Sequence, residues 1–219
     1  HVSMLEFETD TALFKQRNQS YESYDAGREV YDPDYFDVLT YCSNGINLCR
    51  GADATLVGHD NDTIPDTLGI VYRTTSVGIG SAGSKIIAST DPKFTILDVL
   101  TSHSQLYVNQ WVDKVGVDTG WTRGKITRTC WDYTATKGLY CQYESATYSN
   151  KGDSGAPMFI SYNGRDAGIP DGGPYIRLMG ILWGGPPNVP DTTWFSPYDG
   201  IENDLGDLAV CIDYAAAGC

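Results

Sequence analysis

Short apolar runs, broken by glycine, asparagine, aspartate and proline, carry this chain along most of its length. Seven runs have the length and β-branched or aromatic content of strands: LGIVYRTT, KFTILDVL, QWVDKVGV, RGKITRTC, GLYCQYES, APMFISYN and YIRLMGILW. Alternation is visible in GKITRTC, where Ile126, Arg128 and Cys130 share one face and Lys125, Thr127 and Thr129 the other. DTG, ATKG, NGRD and PDGGP mark turns between the runs. One stretch reads as helix, GIENDLGDLAVCI, with Ile201, Leu205 and Leu208 at helical spacing. Its interior Gly206 costs about 1 kcal/mol against alanine. A second, DPDYFDVLTYC, is ambiguous, and residues 74–90 have the composition of a connector between two halves. Many short strands with edges to close favour paired barrels or a sandwich.

Composition narrows the function classes. The chain has 219 residues, 41% of them hydrophobic, enough for a real core. Its 28 acidic and 15 basic side chains leave a formal charge of -13, which would repel nucleic-acid phosphates and suits a secreted protein. No apolar run of about 18 residues is present, so no membrane partner is expected. The start, HVSMLEFETD, has no signal pattern, which suggests a removed leader or a start inside a longer precursor.

Six cysteines allow about fifteen sets of three bridges. Their spacing favours the local pairs Cys42–Cys49, Cys130–Cys141 and Cys211–Cys219. A metal site is not expected, because no C-x-x-C is present and no histidine lies near a cysteine pair in sequence. Two sequons, at Asn18 and Asn61, suit surface loops.

The chemistry concentrates in KGDSGAP, residues 151–157. A serine hydroxyl is a poor nucleophile until a base takes its proton, and the oxyanion it creates needs fixed N–H donors. Glycine before the serine lets the backbone turn its N–H outward, so Gly152 and Ser154 are the candidate donors. Asp153 would point the other way, into an internal ion pair that shapes the loop. The bland alternative is an ordinary turn before a strand.

The motif resembles the nucleophile loop of the chymotrypsin-like serine peptidases, G-D-S-G-[GSA]-P. VDKVGVDTGWTRGKITRTC resembles the strand pair opening the second barrel in the bacterial secreted branch, the glutamyl-endopeptidase and streptogrisin relatives. LMGILWGG resembles the strand after the nucleophile, and WFSPYDGIENDLG the last strand leading into a C-terminal helix. The resemblance implies two antiparallel six-stranded β-barrels and a C-terminal helix. Residues 1–90 would form a partial first barrel and connector, and residues 91–219 the second barrel and helix.

It also implies a triad of His1, Asp53 and Ser154. Asp53 opens DATLV, like the acid strand of the family, and only His1 among the three histidines precedes it. His59 and His103 read as surface residues, and Asp60 and Asp62 as turn residues. Val2 stands where the subgroup has a cysteine beside the base. The family places strands ahead of its base. Here they would lie on a cleaved segment that stays bound, be absent from an abbreviated product, or bring the base from outside this sequence. By position, Tyr148 marks the base of the specificity pocket, and Leu182, Trp183, Gly184 and Gly185 its wall. Tyr148 is not acidic and no cationic pocket is evident, so a hydrophobic or small residue is expected before the scissile bond.

The expected function is therefore a secreted serine endopeptidase acting on peptides or proteins without cofactor, with a cleaved N-terminal segment or an inhibitor as a further candidate partner. Two alternatives stand beside it. One is an inactive homologue that binds or supports. The other is a carbohydrate-binding β-protein using Trp111, Trp121, Trp131 and Trp194.

Overall fold

The computed structural model describes residues 13–17, 23–37, 48–58, 69–134, 138–162 and 174–206. Strands dominate them. The first eight are β1 (Leu13–Arg17), β2 (Ser23–Tyr31), β3 (Phe36–Asp37), β4 (Leu48–Arg50), β5 (Leu56–Gly58), β6 (Ile70–Tyr72), β7 (Gly78–Ile79) and β8 (Lys93–Val99). Then follow β9 (Trp111–Gly116), β10 (Gly120–Thr134), β11 (Gly138–Ser145), β12 (Pro157–Tyr162), β13 (Tyr175–Gly184), β14 (Thr193–Pro197) and the helix α1 (Tyr198–Leu205).

β1, β2 and β5 form a small antiparallel sheet. The large sheet runs β3-β4-β11-β10-β9-β12-β13-β8-β6, with β14 bridging β11 and β13 and β7 lying on β10. Its long neighbours pair antiparallel, while the contacts β4–β11, β7–β10 and β8–β13 are parallel. Residues 74–90, read as a connector, are folded: a Thr74–Ile87 bridge closes them, and Gly78–Ile79 pairs with Thr122–Arg123.

Two clusters fill the large sheet's interior. One gathers Val112, Ile126, Tyr143, Met158, Met179, Leu182 and Phe195. The other packs Phe94, Trp121, Phe159 and Ile176, with the Phe94 and Trp121 rings edge to face at 5.0 Å. A third, smaller cluster holds Ala52 and Ala54 against Ile201 of α1. At that contact Gly51 and Gly200 approach so closely that a Cβ on Gly51 would sit 3.0 Å from the Gly200 carbonyl oxygen.

Two local readings are corrected. The alternation in β10 holds through Lys125, Ile126 and Thr127 but not beyond, because the β10–β11 register shifts between Ile126 and Arg128 and again before Trp131. Arg128 and Cys130 are consequently exposed. The helix expected across Gly206 is interrupted there, where Gly206 adopts a φ of +85°, and the rest of that stretch, with Leu208, lies outside the described residues. The bridge Cys130–Cys141 is present and clips the β10–β11 hairpin. Cys49 is also disulfide-bonded, while its expected partner Cys42, and the pair Cys211 and Cys219, lie outside the described residues.

Candidate active site

Ser154 occupies a turn between two glycines with positive φ, Gly152 at +108° and Gly155 at +87°. The turn is fixed by its alternate residues. The Asp153 N–H donates to the Asn150 carbonyl at 3.1 Å and the Gly155 N–H to the Leu182 carbonyl at 2.7 Å. Among the described residues the N–H groups of Gly152 and Ser154 have no such acceptor. The Ser154 hydroxyl lies 3.4 Å from the Trp183 carbonyl, a long contact that leaves it available. Ser154, Leu182 and Trp183 are thus brought together.

An L-residue at the φ of Gly152 is strained although the space around it is open, the nearest atom to a Cβ being the Asp118 Cβ at 3.6 Å. Gly152→Ala is expected to lose about 1–3 kcal/mol in urea unfolding. A loss within about 0.5 kcal/mol would show that the turn relaxes freely.

Asp153 turns away from Ser154 into a fully buried ion pair. The Lys114 ammonium donates to its Oδ2 at 3.0 Å, and both side chains are wholly inaccessible. The Thr119 hydroxyl donates to Oδ2 at 2.6 Å, and the N–H groups of Asp118, Thr119 and Asn150 donate to the carboxylate at 2.9, 3.2 and 3.1 Å. Lys114 also donates to the Thr119 hydroxyl and to the Gly120 carbonyl. Burial opposes the Asp153 charge, but Lys114 and these donors outweigh it and hold the carboxyl below its ordinary value. The internal pair expected for the loop therefore exists, and its cation is Lys114.

Asp53 is buried, at 3% exposure, in the loop after β4. Burial pushes its carboxyl above the ordinary value, and the Arg50 guanidinium, donating to Oδ1 at 2.7 Å, pulls the other way. Arg50 also donates to Asp32 at 2.7 Å and stacks over Tyr35. The loop is anchored twice more. Asp204 of α1 accepts the Gly51 and Ala52 N–H groups at 3.1 and 2.7 Å, and the Asp53 N–H donates to the Ser196 hydroxyl at 3.0 Å.

His1 and His59 lie outside the described residues, as do Asp60, Asp62 and the sequon residues Asn18 and Asn61. His103, the described imidazole, is half-exposed and pairs through Nδ1 with Asp199 at 2.9 Å. Its ring lies near Cys130 and Cys141, but those sulfurs are joined to each other and offer no thiolate to a metal.

Tyr148 is partly buried, and its carbonyl accepts from the Thr122 hydroxyl at 2.8 Å. Trp183 packs against Tyr133 and Trp194 with ring centroids 5.1 and 5.3 Å apart, and Trp194 meets Trp131 at 5.5 Å. The Gly184 α-carbon opens onto Trp194, and a Cβ on Gly185 would strike the Thr192 carbonyl oxygen at 2.4 Å. Of the four tryptophans weighed for sugar binding, Trp121 is core, Trp111 lies under the Lys125 ammonium, and Trp131 and Trp194 pack on each other.

Lys114, Arg50, Gln142 and Ser196 were not singled out from the sequence. Only Lys114 had a precursor signal, the need of Asp153 for a cation. Nothing in the spacing says which lysine or arginine supplies it.

No family model and no curated protein matches the chain. Solved structures do. The crystal structure of Thermobifida fusca protease A is similar with a TM-score of 0.50 at 16% identity, over 86% of this chain and 80% of that one. A Nocardiopsis protease is similar at 0.48 and 17% identity, over 87% and 86%. Cellulomonas bogoriensis chymotrypsin is similar at 0.47 and 17%, over 73% and 68%. With its strand-dominated sheets and an α-helix behind the last strand, the chain has a chymotrypsin-like double β-barrel fold.

Proposed function

We propose that this chain is a secreted serine endopeptidase. The observation that carries it is the Ser154 turn: a hydroxyl between two positive-φ glycines, with the Gly152 and Ser154 N–H groups left without acceptors among the described residues and the turn held from beneath by Lys114–Asp153. In this reading Ser154 Oγ adds to a peptide carbonyl and its proton passes to His1. The Gly152 and Ser154 N–H groups take the oxyanion. The imidazolium then protonates the departing amine as the C–N bond breaks, and water releases the acyl group by the reverse route. Asp53 orients the imidazole and steadies its charge. The chain binds extended peptides along Leu182 to Gly185, with Tyr148 at the pocket base and a hydrophobic or small residue before the scissile bond. Residues 1–90 and 91–219 supply the acid and the nucleophile from the two halves.

No helix among the described residues is long and apolar enough to cross a membrane. We place the protein outside the cell on the disulfide Cys130–Cys141 and the formal net charge of -13.

One observation favours a second reading, an inactive homologue. The Arg50 guanidinium already holds one oxygen of Asp53, where it competes with an imidazole for the charge. A fluorophosphonate probe separates the two. The active enzyme is labelled at Ser154, confirmed by peptide mass, and Ser154→Ala is not. A folded wild-type protein that stays unlabelled at neutral pH would be the inactive homologue.

A further inference from the structure

Behind the serine, one buried side chain joins the cleft wall to the acid. Gln142 on β11 is fully inaccessible, and both ends of its amide are occupied. Its Oε1 accepts from the Trp183 indole Nε1–H and from the Ser196 hydroxyl, each at 2.8 Å. Its Nε2 donates to the Gly51 carbonyl at 2.8 Å and to the Tyr140 carbonyl at 2.7 Å. The Ser196 hydroxyl in turn accepts the Asp53 N–H. One amide therefore touches the residue whose carbonyl lies beside Ser154 Oγ, and holds the Asp53 loop at two points, Gly51 and, through Ser196, the Asp53 N–H itself.

We propose that Gln142 is a positioning residue that sets Trp183 and Asp53 in one arrangement, so that the cleft wall and the catalytic acid are energetically coupled. The proposal rests on the peptidase reading above and deepens it. The physical reason is saturation. Four hydrogen bonds meet at one amide with no water access, so the amide can follow a partner on one side only by straining its bonds on the other. Neither replacement by an apolar residue nor a shift of the Trp183 ring can then be confined to its own side of the network. Glutamate at this site keeps the acceptor for Trp183 and Ser196 but points an oxygen at the Gly51 and Tyr140 carbonyls, so it breaks the Gly51 hold on the Asp53 loop and spares the Trp183 contact.

The test uses a small alkyl fluorophosphonate with no peptide portion, which senses the triad but not the cleft wall. Trp183→Phe keeps a ring and deletes the Nε1–H. It is expected to slow Ser154 labelling about fivefold, and with a peptide substrate to lower kcat as well as raise KM. Gln142→Leu is expected to slow labelling about thirtyfold, and adding Trp183→Phe to it to slow it no further. Gln142→Glu, if Gln142→Leu does not fold, is expected to slow labelling with little change in KM. Melting temperatures are recorded for each variant, since a loss of fold alone would not give this saturation. If wild type is labelled but Trp183→Phe reacts at the wild-type rate and changes only KM, or if the two effects multiply, the coupling is wrong and the peptidase reading stands. If wild type itself is not labelled, the peptidase reading fails and this proposal with it.

Discussion

Asp53→Asn is expected to lower kcat by about 10⁴-fold while leaving the protein folded. In the peptidase reading, an amide in place of the carboxylate presents an N–H to the His1 imidazole, favours the tautomer that cannot accept the serine proton, and no longer stabilises the cation. The amide oxygen can still accept from Arg50, so the loop keeps its anchor there, and the anchors through Ser196 and Asp204 do not use the Asp53 side chain. Arg50→Met is the necessary companion. It removes the guanidinium that opposes the burial-driven rise of the Asp53 carboxyl, so that carboxyl moves further up. The acid limb of the pH–rate profile should then shift to higher pH, with a much smaller loss on the plateau. Rates on a peptide substrate and melting curves for both variants decide the matter. Equal losses of stability with no excess loss of kcat for Asp53→Asn would make Asp53 simply the counter-ion of Arg50.

Lys114→Met is expected to destabilise the protein by about 3–5 kcal/mol, because it leaves the Asp153 carboxylate buried without its cation. The remaining donors, the Thr119 hydroxyl and three backbone N–H groups, are dipoles and do not replace a charge. The pH dependence gives the sign. In the native protein the Asp153 carboxyl is held below its unfolded value. Its contribution to stability is therefore full above the ordinary carboxylate range and is lost as pH falls through the lowered native value. Without Lys114 the native value rises toward the unfolded one, so that stabilisation shrinks and its loss on acidification is complete at higher pH. Urea unfolding over a pH series measures both effects. A loss under about 1 kcal/mol with an unchanged pH profile would mean the pair behaves like an exposed one. Since the same carboxylate shapes the Ser154 turn, probe labelling should fall along with stability.

Most strands were legible because their signals are local. RGKITRTC, GLYCQYES, APMFISYN and YIRLMGILW each carry a bounded β-rich run, and each lies in or overlaps a strand. Alternation failed where the partner strand changes register, as at Arg128, since no property of β10 alone records a bulge made against β11. It also fails in β9, where Val112, Asp113 and Lys114 are all buried because the strand is covered on both faces. Asp113 is held there by Trp121, Arg123 and Ser161, a set drawn from two other strands. The serine loop was readable because glycine, aspartate and serine must be adjacent for it to form. Gln142 and Ser196 were not, because their partners lie up to 143 residues away along the chain, and Arg50 was not, because nothing in its own spacing marks it as buried.

The clasp between α1 and the Gly51–Ala52 backbone joins positions 152 residues apart. Closing so long a loop costs entropy, so this contact is expected to form after the more local strand pairings. A nascent polypeptide that has not yet extended past Asp204 lacks the carboxylate that seats this segment. In the peptidase reading, the loop that carries Asp53 is therefore seated only once the helix behind β14 has been made.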